Sequence, residues 1–301
     1  SDYITANYDG SGYLKDAAGQ YVWSTSGAFG GSGANTIKAN ANLISGSSGD
    51  DTLYASNWGS IVVGGAGSDH IIIRDDNVTV SILESTSASD VITIDSSNPY
   101  AYTTIFGFDT SGSSTNDRLD LASDLIVDDV TNVDGMDVNG LKSHSISSGI
   151  ITFAGTDQGG SPVIINQANL NDAIKYLSTN LGSKGSTVGF AIDANNDGFN
   201  DSLGVFQQRD LTRGPVSTPY ANETLVLLDG VVGAILGKTQ SQNVVTITSL
   251  ISPQPLRPIE FSSNQVSFYV SEAVTSYDLS GGTAHRGHGS TISVSCLLYT
   301  S

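Results

Sequence analysis

A large apolar residue recurs every nine positions between residues 50 and 80, at Leu53, Val62, Ile71 and Val80. Nine residues accommodate one short strand and one tight turn, and two such units complete one coil of about eighteen residues. The pattern therefore predicts a stack of short parallel strands whose apolar side chains point into a thin core.

The rest of the chain reads as further short strands and one helix. Apolar residues at helical spacing predict a helix over residues 169–181, with Asn169 as its N-cap and Gly182 as its stop. A proline-containing stretch, residues 252–258, predicts a linker. Short apolar runs predict strands within residues 102–109, 116–121, 149–155, 187–192, 202–207, 224–229, 231–236, 244–250, 265–270 and 274–279.

These elements predict a mostly β chain in four parts. The parts are an N-terminal β/loop segment (1–29), a short parallel β-roll with its cap (30–122), a β-rich module with one helix (123–250), and a linker with a partial β-sandwich (251–301).

Glycine and acid positions accompany the apolar period. The segments Gly30–Lys38, Gly46–Tyr54 and Gly64–Ile72 fit the nine-residue pattern G-G-x-G-x-D-x-U-x, in which U is a large apolar residue. The third is a full match, the second has Ser47 for a glycine, and the first has Asn35 for the aspartate. Because Asp51 and Asp69 lie eighteen residues apart, they are expected to stack on one side of the roll. A hard cation between two coils would there receive carboxylate and carbonyl oxygen.

These repeats resemble the RTX, or haemolysin-type calcium-binding, family. The resemblance implies a parallel β-roll that holds Ca²⁺ in the turns of its repeats, and export by the type I secretion machinery. Because only about two repeats carry the acid and the opposite edge lacks the motif, we expect one or two Ca²⁺ ions along one edge. The ligands it implies are Asp51 and Asp69, the carbonyls of Gly46, Ser48, Gly64 and Ala66, and Asn35 as a weaker member. Residues 105–121 resemble the flank that follows such repeats, which implies that they cap the roll, with Asp117 and Asp120 as further candidate ligands.

A second acidic motif runs from Asp193 to Asp201 and matches the first half of a D-x-[DN]-x-[DN]-G calcium loop. An EF-hand needs a glutamate at position twelve, where this chain has Gly204. The motif is therefore either a calcium loop on a β-hairpin or a turn that needs no metal. As a calcium loop, its ligands would be Asp193, Asn195, Asp197 and Asp201.

Two downstream stretches carry weaker resemblances. Residues 149–237 are similar to β-rich modules of large bacterial surface and S-layer-like proteins, and residues 259–294, through Val266–Val274, resemble the start of an immunoglobulin-like repeat. The first resemblance implies no known chemistry, and the second implies a spacer or an adhesive stalk.

Charge removes several function classes. Lys and Arg total 12 against 30 Asp and Glu, a net charge of -18. Such a chain is unsuited to nucleic acid or to anionic membrane surfaces. The acids are either a solvating surface or metal ligands.

The sequence has no run of eighteen apolar residues, so no membrane span is predicted. Its single cysteine, Cys296, excludes an internal disulfide framework.

Catalytic motifs are missing from the sequence, which has no H-E-x-x-H, no G-x-S-x-G and no Walker loop. The N-terminal residues do not resemble a secretion signal, so we expect a fragment or an export signal elsewhere.

The sequence thus predicts a non-enzymatic, calcium-binding structural or adhesive module of a secreted bacterial surface protein. Its location would be extracellular or on the cell surface, with cell-surface or matrix components as candidate partners. The alternative is the accessory region of a secreted hydrolase whose catalytic domain lies outside this sequence. A carbohydrate-binding domain is a third reading, but Trp23 and Trp58 are too isolated to support it.

Overall fold

The chain is mostly β-structure with one helix in its described part, as the sequence predicts. The computed structural model describes residues 27–39, 41–82, 88–95, 102–110, 116–121, 125–209, 223–238, 244–249, 257–262, 265–269, 282–286 and 291–296. It divides into two compact units, residues 1–249 and 250–301. Of the predicted N-terminal segment, residues 1–26 lie outside the described residues.

The first unit begins with a parallel β-roll. Its strands are β1 (Ala28–Phe29), β2 (Thr36–Ala39), β3 (Leu43–Ser48), β4 (Thr52–Ala55), β5 (Ile61–Ala66), β6 (His70–Ile73), β7 (Thr79–Ser81), β8 (Val91–Ile94), β9 (Thr103–Phe106) and β10 (Arg118–Asp120). The odd-numbered strands pair in parallel in one sheet, and the even-numbered strands pair in parallel in a second sheet. We call β1–β10 the roll. Each of its coils therefore gives one strand to each sheet.

The apolar period marks the inside of the roll, as predicted. Leu53, Val62, Ile71 and Val80 are each 0% exposed. Leu53 pairs with Ile71 across β4 and β6, and Val62 pairs with Val80 across β5 and β7. Equivalent residues of successive coils therefore stack in the core.

Downstream strands continue both sheets of the roll. They are β11 (Leu125–Ile126), β12 (Val130–Val138), β13 (Leu141–Ser147), β14 (Ile150–Ala154), β15 (Ile165–Asn166), β16 (Ser186–Asp193), β17 (Ser202–Gln208), β18 (Glu223–Asp229), β19 (Ala234–Lys238) and β20 (Val244–Ser249), with helix α1 (Leu170–Asn180) before β16. We call β11–β20 and α1 the module. Its strand β18 runs parallel to β9, and β20 runs antiparallel to β10.

The end of the roll therefore differs from the expected cap. Residues 102–121 contain β9 and β10, which extend the two sheets as one more coil, and the module strands β18 and β20 follow them. The predicted division at residue 122 thus lies inside the first compact unit. Strand pairing of this long range leaves no local trace in the sequence.

The sheet of β16, β17 and β18 is buried on both faces. On one face, Leu203, Val205, Val226 and Leu228 join the core of the roll. On the other face, the sheet packs against α1, whose buried face includes Ala173, Ile174 and Leu177. The helix begins after Asn169, as predicted, and it ends at Asn180 with Leu181 as its C-cap, directly before the predicted stop at Gly182. The described residues include no helix with the length and apolarity to cross a membrane.

The second unit contains a four-stranded antiparallel sheet, in agreement with a partial β-sandwich. Its strands are β21 (Arg257–Ser262), β22 (Gln265–Tyr269), β23 (Gly282–Arg286) and β24 (Thr291–Cys296), in the order β21-β22-β24-β23. The predicted linker 252–258 overlaps β21 at its end, and the strand predicted over 274–279 lies outside the described residues.

Candidate metal site at the glycine-rich edge of the roll

The three motif segments stack along one edge of the roll, which we call the glycine-rich edge. Strand β3 pairs with β5 so that Ser47 faces Gly65 and Ser48 faces Ala66. On the far side of the turn, Thr52 faces His70. The preceding residues, Asp51 and Asp69, therefore hold equivalent positions in successive coils, as their spacing predicts.

A column of buried carboxylates, here called the aspartate ladder, follows this edge. Its members are Asp51, Asp69, Asp90 and Asp117, each 2% or 3% exposed. Each carboxylate accepts a hydrogen bond from the backbone N–H of the equivalent residue one coil earlier. The donors and distances are Asn35 N to Asp51 Oδ1 at 2.6 Å, Asp51 N to Asp69 Oδ1 at 2.9 Å, Asp69 N to Asp90 Oδ1 at 2.7 Å, and Asp90 N to Asp117 Oδ1 at 2.9 Å.

Asp117 ends the ladder by also accepting a hydrogen bond from Asp109 N through Oδ2, at 2.6 Å. Asp117 was predicted as part of a cap, and Asp90 was not among the candidate ligands. Both are full members of the ladder. Because buried carboxylates need hydrogen bonds, the ladder gives these acids a structural role that is independent of any metal.

The first glycine of the motif makes room for the acid five residues later. Asp51 turns its carboxylate inward, and a side chain at Gly46 would collide with Asp51 Oδ2 and with Gly64 O. At Gly64, a Cβ would lie 2.5 Å from Asp69 Oδ2. The spacing between glycine and aspartate in the motif thus follows from close packing inside the turn.

One oxygen of this arrangement has no partner. Asp51 Oδ1 accepts both Asn35 N and Asn35 Nδ2, but no hydrogen-bond donor among the described residues reaches the buried Asp51 Oδ2. The pKa of Asp51 is raised above its ordinary value, chiefly because the carboxylate is buried. Hydrogen bonds from Asn35 offset part of this rise, and nearby Asp50 adds to it. A buried carboxylate oxygen without a donor is costly unless a proton or a cation reaches it.

The four carbonyls predicted as ligands line the same edge. Ser48 O accepts a hydrogen bond from Gly33 N at 2.7 Å, and Ala66 O accepts one from Gly49 N at 2.6 Å. Each carbonyl has a second lone pair for another contact. Gly46 O and Gly64 O lie against the glycine of the preceding coil. The described residues contain no group of three or more His, Cys, Asp or Glu side chains placed to hold a metal, so a cation here would depend on carbonyl oxygen.

Asn35 presents nitrogen, not oxygen, to its turn. Its Nδ2 donates to Gly31 O at 3.0 Å, to Gly33 O and to Asp51 Oδ1 at 2.8 Å. This geometry differs from the ligand role expected for Asn35.

The second candidate motif forms the predicted hairpin. Strands β16 and β17 are antiparallel neighbours joined by the loop from Asp193 to Asp201. Asp193 accepts the backbone N–H groups of Asp197 and Gly198 at 3.0 and 2.9 Å, and Asp201 accepts those of Ala194 and Asn195 at 2.8 and 3.3 Å. Asn195 Oδ1 also accepts Asp197 N, at 2.9 Å. Backbone N–H groups thus satisfy these oxygens without a metal, as in the plain turn. Each oxygen keeps a second lone pair, so the choice between the plain turn and the calcium loop stays a prediction.

Comparison of the chain with protein-family models, with curated proteins and with solved structures finds no match. The resemblance to RTX repeats therefore rests on the motif residues alone.

Proposed function

We propose that this chain is a calcium-binding, non-enzymatic structural or adhesive module of a large bacterial surface protein exported by type I secretion. The observation that carries the proposal is the buried Oδ2 of Asp51, which no donor among the described residues reaches. It lies inside a turn that also contains carbonyl oxygens, and this is the mixed oxygen set that Ca²⁺ prefers.

The ladder adds an electrostatic reason. Carboxylates on successive coils repeat at roughly the 4.8 Å spacing of neighbouring strands, so their charges repel in a buried setting. The whole chain carries a net charge of -18, which adds to this repulsion. A divalent cation bound by Asp51 and Asp69 with turn carbonyls would offset it and stabilise the roll.

Calcium control of folding suits an exported protein. Extracellular modules bind Ca²⁺ with dissociation constants of roughly 10⁻⁴–10⁻³ M, so such sites stay empty inside a cell and fill outside it. Since metal binding then contributes directly to folding, the roll would tighten only after export.

The test is isothermal titration of the whole chain with calcium. We expect Asp51→Ala and Asp69→Ala each to weaken binding at the roll. Asp109→Ala is the matched control, because Asp109 joins the ladder through its backbone N–H, which alanine retains. Equal calcium affinity in all three variants would contradict the proposal.

The hairpin loop is tested separately with the double variant Asp193→Asn, Asp197→Asn. Since backbone N–H groups satisfy the loop acids, we expect the number of bound calcium ions to stay unchanged. A fall by one ion would assign a second calcium site to this loop.

A further inference from the structure

Asn35 and Asp51 occupy the same place in two successive turns. Asn35 N donates to Asp51 Oδ1, and Asp51 N donates to Asp69 Oδ1. A Cβ on Gly30 would lie 3.0 Å from Asn35 Nδ2, and a Cβ on Gly46 would collide with Asp51 Oδ2. The Nδ2 of Asn35 and the Oδ2 of Asp51 therefore hold equivalent positions, and the two turns differ there by an NH₂ group in place of an oxygen.

The NH₂ group of Asn35 gathers three oxygens. They are two carbonyls of its own turn, Gly31 O and Gly33 O, and one carboxylate oxygen of the next coil, Asp51 Oδ1. An amide nitrogen can only donate, so its two partially positive hydrogens are shared among these three oxygens. Carbonyl and carboxylate oxygens are also the ligands that a hard cation collects.

The next turn lacks such a donor. Asp51 Oδ2 can only accept while the carboxylate is ionised, and no donor among the described residues reaches it. Ser47 and Gly49 hold the positions that Gly31 and Gly33 hold in the first turn. The second turn therefore has carbonyls at the same chain positions as the first turn, but it has an acid, not a side-chain amide, at the position of Asn35.

We infer that the side-chain amide of Asn35 is a built-in substitute for a cation, so that the first turn closes without metal and the cation requirement begins at the turn of Asp51. The part of this inference that concerns the cation rests on the proposed function. The part that concerns the amide rests on the contacts of Asn35 alone.

Reciprocal variants of the whole chain test it: Asn35→Asp and Asp51→Asn, with CaCl₂ as the probe. In chelator, Asn35→Asp should lower amide-exchange protection of residues 35–39 by about tenfold, because it replaces a bridging donor by a buried acceptor. Millimolar CaCl₂ should restore this protection and raise the number of bound ions by one. Asp51→Asn should raise protection of residues 51–55 in chelator and remove one bound ion.

Asn35→Ala is the control, because it removes the bridge without adding an oxygen. Its loss of protection should not be restored by calcium. Unchanged protection of Asn35→Asp in chelator would overturn the inference, and so would equal rescue of Asn35→Asp and Asn35→Ala. If the wild-type chain binds no calcium, the proposed function fails, whereas a loss of protection in Asn35→Asp would still support the bridging role of the amide.

Discussion

The roll and the part of the module around Tyr176 bury polar groups in different ways. In the module, the buried His144 Nδ1 lies 3.0 Å from the hydroxyl of Tyr176, and the Tyr176 ring packs edge-to-face on Phe153 at 5.8 Å. In the roll, four carboxylates lie beside an aliphatic core, and Asp51 Oδ2 has no donor within the described part of the chain. At this point of the module, buried polar and aromatic side chains contact one another, whereas the roll has a buried oxygen that only a proton or a cation can satisfy.

The two regions are nevertheless physically joined. Strand β9 of the roll pairs with β18 of the module from Thr103 to Phe106, and β10 pairs with β20. A loss of order that begins in the early coils would therefore meet strands that are anchored to the apolar core of the module. This arrangement predicts a boundary of calcium sensitivity near the last coil of the roll.

The largest expected effect is that of chelation on hydrogen exchange. Removal of calcium should lower amide protection in residues 41–82, because the ladder then has no cation to offset its repulsion. Protection should persist in α1 and in β16–β18, whose apolar faces are buried without any metal. Hydrogen-exchange mass spectrometry of the whole chain, with and without chelator, measures both regions together. An equal loss of protection in roll and module would remove the distinction between them.

Much of this contrast could be predicted from the sequence, because regular coils leave a regular signal. The nine-residue period placed Leu53, Val62, Ile71 and Val80 inside the roll, and it stacked Asp51 on Asp69. Helical spacing likewise predicted α1 to within a residue or two.

The remaining parts could not be predicted where the repeat changes length. Successive ladder bonds span 18, 21 and 27 residues, because the later coils have longer connections. A search at a fixed period therefore finds Asp51 and Asp69 but loses Asp90 and Asp117. The role of Asn35 was missed for another reason: whether an amide presents its oxygen or its nitrogen depends on neighbours that folding brings together.

A glycine substitution in the roll should have the next largest effect. Gly65 has a φ of +108°, and a side chain there would collide with Ser47 O on the preceding coil. Gly65→Ala should therefore cost about 2–4 kcal/mol, from backbone strain together with the clash. The check is chemical denaturation in saturating calcium.

Gly31→Ala is the matched control, since Gly31 also follows the first glycine of a repeat but has nothing within 4 Å of the place for a Cβ. It should change stability by less than about 1 kcal/mol. Similar costs for both variants would show that stacking of the coils does not constrain this edge.

The opposite edge of the roll should give a smaller, pH-dependent effect. Burial, with a further contribution from Asp75, raises the pKa of Asp76 to about 6, above its ordinary value of 3.8. The neutral form is therefore favoured in the folded chain, so its stabilising contribution is complete below pH 4 and lost as the pH rises through about 6. Relative to that of Asp76→Asn, the free energy of unfolding of the wild type should fall by about 1–2 kcal/mol between pH 4 and pH 7.

Thermal unfolding of both chains across this pH range, in saturating calcium, measures that difference. Asp75→Asn removes the smaller cause of the raised pKa of Asp76. It should therefore narrow the pH range over which stability is lost, and stability should still fall as the pH rises. A difference between wild type and Asp76→Asn that does not vary with pH would contradict this assignment.

The smallest expected effect is a stabilisation at Ser47. In the module, three of the non-glycine residues with positive φ are asparagines, at positions 132, 139 and 196, and asparagine tolerates this region well. In the roll, Ser47 has a φ of 85° at the position where a full repeat has its second glycine. The left-handed region costs an L-residue roughly 1–2 kcal/mol, while glycine loses somewhat more chain entropy on folding. Ser47→Gly should therefore raise the free energy of unfolding by about 0.5–1 kcal/mol.

The neighbouring change Ser48→Gly, at a residue without positive φ, should lower it by a similar amount. Denaturant unfolding measures the change in free energy of unfolding for each variant, and the two changes should have opposite signs. Destabilisation by both variants would mean that the turn does not strain Ser47.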